Sequence, residues 1–288
     1  PDVNRVIVEG ENFNIEFSKV DGFLCRYDVN GVSMIEKGSS LTPNFWRAGT
    51  DNDYGARLNL KYKVWKNPVM KLNNITSKVE NSMVYVDAEY QMPEVFSTLR
   101  LSYVINNEGA IQVTQKLLTD KGKKVPNMFR YGMRMRMPKE MYYSHFYGRG
   151  PVENYIDRNH NSFVGIYKMT TQEQFYPYIR PQENGCKTDI RWWNQTNKGG
   201  IGLNFVASKP FSMVALNYTI ESLDDGDLKD QRHSGQVEPA DFIEVCIDYA
   251  QQGLGGENSW GSTCLPQYRL TYKDYEFTYQ IKPLDTVY

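Results

Sequence analysis

The sequence predicts an all-β fold: many antiparallel strands in one large sandwich domain spanning residues 1–288. Three observations predict it. Apolar residues recur with a period of two in most windows, the pattern of a half-buried strand. Tyr and Phe, 21 and 13 in number, are strand formers, and few windows carry a helical period that would compete with them. Turn pairs such as Asp21-Gly22 and Asn30-Gly31 fall between the alternating runs, where a hairpin needs residues that tolerate positive φ. No βαβ rhythm appears, which argues against a parallel barrel. At 288 residues with 40% hydrophobic content the chain can bury a large core, and an all-β domain accommodates that length without splitting.

In chain order, Phe13, Ile15 and Phe17 alternate with Asn14 and Glu16 and open a meander. Val84, Val86, Ala88 and Tyr90 share one strand face. Leu99, Leu101, Tyr103 and Ile105 share another, turn through residues 106–109 and return along Ile111 and Val113. Between 129 and 137, Phe129, Tyr131, Met133, Met135 and Met137 point one way and Arg130, Arg134 and Arg136 the other, which predicts a core face and a wet face. The alternation returns at 201–205, 243–249 and 275–281. Only 221–232 (ESLDDGDLKDQR) reads as a short helix, and no flexible linker, low-complexity stretch or internal repeat interrupts the chain.

Lys and Arg number 33 against 34 Asp and Glu, with no long run of one sign, so nucleic acid and anionic membrane are poor partners. No apolar run approaches the roughly 18 residues of a membrane helix. The first residues, PDVNRVIVEG, lack a Met and a signal-peptide core, as expected of a chain cut from a longer one. Cys25, Cys186, Cys246 and Cys264 lie far apart without a CxxC pair, which favours free thiols. Three sequons, at Asn74, Asn194 and Asn217, leave the compartment open.

The polar and aromatic residues that break the strand pattern gather in 43–55 (PNFWRAGTDNDYG), 147–158 (YGRGPVENYIDR), 178–193 (YIRPQENGCKTDIRWW) and 253–262 (GLGGENSWGS). Flat rings beside amides, carboxylates and Arg suit a sugar, whose C–H face takes stacking and whose hydroxyl rim takes directional hydrogen bonds. Blander readings compete for each stretch. Asp51-Asn52-Asp53 misses the Gly and Glu positions of a calcium loop, which favours turn chemistry. His145, His160 and His233 lack zinc spacing and read as structural. One ring of Trp192-Trp193 must face inward. Trp260 differs: set among Gly and Ser, it is awkward to bury and is expected to meet a ligand or partner. Glu153, Asp157, Glu183, Glu238 and Glu257 could supply glycosidase carboxylates, but spacing compels no pair.

Together RAGTDNDYG, FYGRGPVENYIDR, YPYIRPQENGCKTDIRWW and GLGGENSWG resemble, in order and from about Asn12 to about Lys282, the C-terminal small-chain domain of the bacterial β-galactosidases of glycoside hydrolase family 2. The resemblance implies a galactose mutarotase-like β-supersandwich at the end of a multidomain polypeptide that hydrolyses terminal β-D-galactosyl residues with retention. It implies that both catalytic Glu residues lie on a barrel elsewhere, leaving this chain with no catalytic residue, no cofactor and no metal; Mg²⁺ and Na⁺ of the parent enzymes are held largely by other domains. Its partners would be the other domains, above all the barrel, the β-galactoside and further copies of the parent, in the cytoplasm or periplasm of a bacterium. Trp260 matches the loop Trp that stacks on substrate, and Gly55 matches the first residue of a mobile loop. Asp53, Arg180, Glu183, Asn184, Glu257 and Asn258 belong to the loops expected to line the pocket, the RPQENG residues more as loop holders than as sugar contacts. An autonomous aldose mutarotase, pairing His145 or His233 with Glu183 or Glu238, and a free-standing galactoside-binding module are the alternatives.

Overall fold

The computed structural model describes residues 3–255 and 257–284. Strands β1 (Arg5–Glu9), β2 (Phe13–Ser18), β3 (Leu24–Val29) and β4 (Val32–Ser33) form a four-stranded antiparallel sheet in chain order. The turn from β3 to β4 places Asn30 and Gly31 at φ of 50° and 76°, the left-handed pair that a two-residue hairpin requires. Ile15, Phe17, Leu24 and Tyr27 form its buried face. That face packs on the larger sheet: the Phe17 and Tyr103 ring centroids are 4.8 Å apart, and Tyr27 Oη donates to Gly109 O at 2.7 Å.

After β5 (Thr42–Asn44) come helices α1 (Asp51–Gly55) and α2 (Leu58–Lys61). A continuous antiparallel meander follows: β6 (Lys71–Glu80), β7 (Met83–Met92), β8 (Ser97–Ile105) and β9 (Ile111–Thr119). Next are β10 (Arg130–Pro138), β11 (Tyr143–Gly150), β12 (Phe163–Thr170), α3 (Thr171–Gln174), β13 (Lys187–Thr196), β14 (Gly202–Leu216), α4 (Ile220–Leu223), β15 (Phe242–Gln251) and β16 (Tyr275–Leu284). They complete a 12-stranded sheet ordered β12-β11-β13-β14-β16-β9-β8-β7-β6, with β15, β10 and β5 branching from β14.

The branch has a local cause in β14. Residues Gly202 to Ala207 pair with β16, whereas Ser212 to Leu216 pair with β15. Pro210, with no N–H to offer a ladder, sits between the two pairings. The sheet curls there into a sandwich around a core that includes Phe129, Tyr131, Trp193 and Tyr279, all fully buried. Trp193 stacks on Phe146 at 4.5 Å while Trp192, half-buried, meets His145 edge-on, as the alternation of a strand requires.

Three expectations are corrected. Arg130 does not lie on a wet face with Arg134 and Arg136: it is buried, with Glu183 of the third motif stretch and Asp248 of β15 as its ionic partners. The 221–232 helix shrinks to α4, since Asp224 is extended and turns its carboxylate to Trp46 Nε1 (2.7 Å) and Gly226 N (2.9 Å). Asp51-Asn52-Asp53 is helical rather than a plain turn: Thr50 Oγ1 accepts from Asp53 N, and the Asp53 carboxylate accepts from Thr50 N. The four cysteines are free thiols, three of them buried, and no helix of the described residues is long and apolar enough to cross a membrane.

Candidate functional site

All four motif stretches meet at one end of the sandwich, stitched by side chains that each motif lends to another. Arg47, fully buried behind β5, sends Nε and Nη2 to the two oxygens of Asp53 at 3.1 and 2.8 Å. Its remaining donors reach the stem of the fourth motif: Gln251 Oε1 (3.2 Å), Gln252 O (2.5 Å) and Gly253 O (3.2 Å). Asp157, half-buried in the second motif, accepts from Leu254 N and Gly255 N at 3.1 and 3.0 Å. Gly253 is needed beside it, because a Cβ would lie 2.5 Å from Asp157 Oδ2. Asn154 spends its whole amide on its neighbours, donating to Arg149 O and Val152 O and accepting from Thr188 N and Oγ1.

The third motif is a holding device. Asn184 is buried and its side chain brackets the backbone of Tyr176. Glu183, also buried, pairs with Arg130 and accepts from Gln251 Nε2 at 3.2 Å. Glu153 accepts from Gly185 N (2.8 Å), Arg158 Nη2 (2.8 Å) and Tyr178 Oη. Arg180 ties the turn to Gln231 Oε1 at 3.1 Å, away from the other loops.

Burial sets the electrostatics beneath these loops. It pushes the Asp248 carboxyl up to about 7, against the pull of Arg130, whose Nε lies 3.7 Å away. Glu183 is likewise raised by burial, with Arg130 and Arg47 opposing. Lys187, buried with its Nζ on Gly185 O at 3.0 Å, is lowered to about 8 by the same cause. Glu153, Asp157 and Glu183 are thus each engaged by fixed donors, and Glu238 and Glu257 are exposed.

Above this scaffold the chain leaves the sandwich. Gly256 lies outside the described residues. Glu257 and Asn258 are exposed, and Asn258 Oδ1 accepts from Trp260 N at 2.9 Å, a tight Asx turn. Ser259 Oγ donates to Asn52 Oδ1 at 3.1 Å, and its carbonyl packs on Gly55, where even a Cβ would not fit. The Trp260 indole is 93% exposed. Beside α1 lies an open cleft of about 160 Å³ lined by Thr50, Asp51, Asn52, Arg158, Tyr178, Gln182, Glu183 and Leu254.

Gly55, Asp53, Glu183, Asn184, Glu257, Asn258 and Trp260 therefore belong to one loop cluster, with Asp53, Glu183 and Asn184 turned inward as supports. Arg47 was missed as a site residue: it stands inside the first motif, but nothing in the sequence ties it to residues 251–253. Among the described residues no His is ion-paired to a carboxylate; His233 Nδ1 faces Ile179 O at 3.2 Å. No group of three or more His, Cys, Asp or Glu side chains that could hold a metal ion forms among them either.

Comparison with known proteins agrees with this architecture. The β-galactosidase of Priestia megaterium is 31% identical over 280 residues, 96% of this chain but 26% of its own length. That of Streptococcus thermophilus is 28% identical over 283 residues, 96% of this chain and 27% of its own. The chain thus spans about a quarter of these relatives. Among solved structures, galactose 1-epimerase from Lactobacillus acidophilus superposes with a TM-score of 0.57, 98% and 95% of the two chains covered, at 9% identity. A galactose mutarotase-like protein from Lactobacillus casei gives 0.52, covering 97% and 99%, at 12% identity. At that identity the likeness shows the fold alone, a galactose mutarotase-like β-supersandwich. The family model described as β-galactosidase small chain matches residues 9–281, and the chain belongs to that family.

Proposed function

We propose that this chain completes the substrate pocket of a retaining β-galactosidase without supplying its catalytic carboxylates. The observation that carries it is Trp260: a bare indole, 93% exposed, held out from the sandwich by a loop fixed at its stem by Arg47 and Asp157 and at its tip by Asn52. A soluble protein has little reason to pin its largest apolar side chain in water unless a second surface covers it. Covering roughly 100 Å² of the ring at about 25 cal/mol/Å² gives about 2.5 kcal/mol, and ordering costs leave about 1–2 kcal/mol for a sugar face held mainly by another domain.

The acid and nucleophile come from the rest of the polypeptide, since Glu153, Asp157 and Glu183 are committed to fixed donors here. An autonomous mutarotase would need a His and a carboxylate to converge, for which the described His contacts offer no support. The chain also takes part in domain and subunit contacts. The edge strand β12, with Phe163 and Ile166 exposed, is suited to that role. The test is Trp260→Ala in the complete polypeptide. Lactose hydrolysis is expected to lose roughly 5–30-fold in kcat/KM; unchanged kcat/KM for lactose and for an aryl galactoside alike would refute the pocket role.

A further inference from the structure

We propose that Arg47 is a positioning residue for the Trp260 loop, acting on catalysis only through where it holds the indole. This rests on the pocket-completing role above. The guanidinium has five N–H donors, and five bonds leave it: two to the Asp53 carboxylate, one to Gln251 Oε1, one to Gln252 O and one to Gly253 O. It is fully buried and lies 4.6 Å above the Phe129 ring, so neither water nor a second rotamer competes for those donors.

The acceptors belong to the two segments that meet again at Trp260. Asp53 closes the capping box of α1, α1 ends at Gly55, and Gly55 packs on the Ser259 carbonyl next to the indole. From the other side, Gln251 to Gly253 form the stem of the loop that carries Ser259 and Trp260. The contacts therefore close a ring: Arg47, Asp53, α1, Ser259, the loop and back to Arg47. One fork fixes the stem against α1, and α1 fixes the tip. Lysine has the charge but only three donors at one point, and cannot span a carboxylate and two backbone carbonyls together.

The experiment is a double-mutant cycle in the complete polypeptide: native, Arg47→Lys, Trp260→Ala and both together, assayed for lactose kcat/KM and unfolding midpoint. Arg47→Lys is expected to lower kcat/KM roughly 3–10-fold, below the cost of losing the indole, and to add nothing once Trp260 is Ala, while its midpoint shift is the same in both backgrounds. Multiplying losses, or an unchanged kcat/KM where Trp260→Ala is impaired, would overturn the proposal. Should Trp260→Ala itself be silent, the pocket role fails instead. Amide exchange at Leu254 and Gly255 then decides on Arg47: faster exchange in Arg47→Lys supports the clamp and unchanged exchange refutes it. If Arg47→Lys does not fold, Gln251→Met removes one neutral acceptor of Arg47 at similar volume, together with the donor to Glu183, and is read in the same cycle and by the same exchange, with the same two outcomes and Glu183→Gln as the control for the second loss.

Discussion

Replacing Gly55 by Ala sets two opposed effects against each other, and their sizes decide the outcome. An Ala for Gly exchange in a helix is worth up to about 1 kcal/mol in its favour, and Gly55 has no positive φ that would strain the new residue. The added methyl, however, would lie 2.6 Å from the carbonyl carbon of Ser259 and nearer still to its oxygen. Carbon atoms pack best at roughly 3.5–4.0 Å, so the loop must retreat by about 1 Å to clear that carbon and further to clear the oxygen, and because the obstacle is backbone no side-chain rotation relieves it. Overpacking of this kind costs about 1–3 kcal/mol, enough to outweigh the propensity gain locally by breaking the Ser259–Asn52 hydrogen bond. The predicted result is a protein of nearly native midpoint whose lactose kcat/KM falls roughly 3–10-fold, with the loss bounded by that of Trp260→Ala because the indole is what moves. Steady-state kinetics on the complete polypeptide, with and without Trp260→Ala, is the assay. A loss larger than that of Trp260→Ala, or one that persists in its background, would refute the steric reasoning.

Two further predictions concern the scaffold. Asp248, raised from an unfolded value of 3.8 to about 7, binds its proton more tightly when folded; its contribution is fully present below 3.8 and is lost as pH rises through about 7. The native 288-residue chain should therefore lose more stability between pH 5 and 8 than Asp248→Asn does, measured by denaturant midpoint, and parallel pH profiles would contradict the assignment. Trp193→Ala should cost about 3–5 kcal/mol, since it removes a buried ring stacked on Phe146 and bonded to Gln195 Oε1 at 2.9 Å, whereas Trp192→Ala should cost well under half of that. Equal costs would mean that the two faces of β13 are misassigned.

Much of the architecture was legible because period-two alternation and turn chemistry are local. Asn30-Gly31 adopts its hairpin geometry, and the faces at 99–105 and 275–281 are buried as read. Asp51–Gly55 could have been read as helical, for Thr50 and Asp53 carry the spacing of a capping box, but a single turn leaves no helical period to notice. Arg130 was misplaced for a different reason: alternation tells which way a side chain points, not whether an ionic site waits there, and Glu183 and Asp248 come from distant strands and loops. Arg47 was hidden likewise, since its partners at 251–253 lie some 200 residues away. The grouping of four motifs into one site followed from resemblance, whereas the exposed Trp260 followed from its Gly and Ser neighbours alone.

The most direct measurement is acrylamide quenching of Trp260 fluorescence, taken as the difference between the native polypeptide and Trp260→Phe, with and without a bound β-galactoside. In the complete enzyme the indole is predicted to be readily quenched when the pocket is empty and shielded when the sugar is in place. Equal quenching in both states would mean that no sugar covers the ring, and the proposed role of the loop would fall with it.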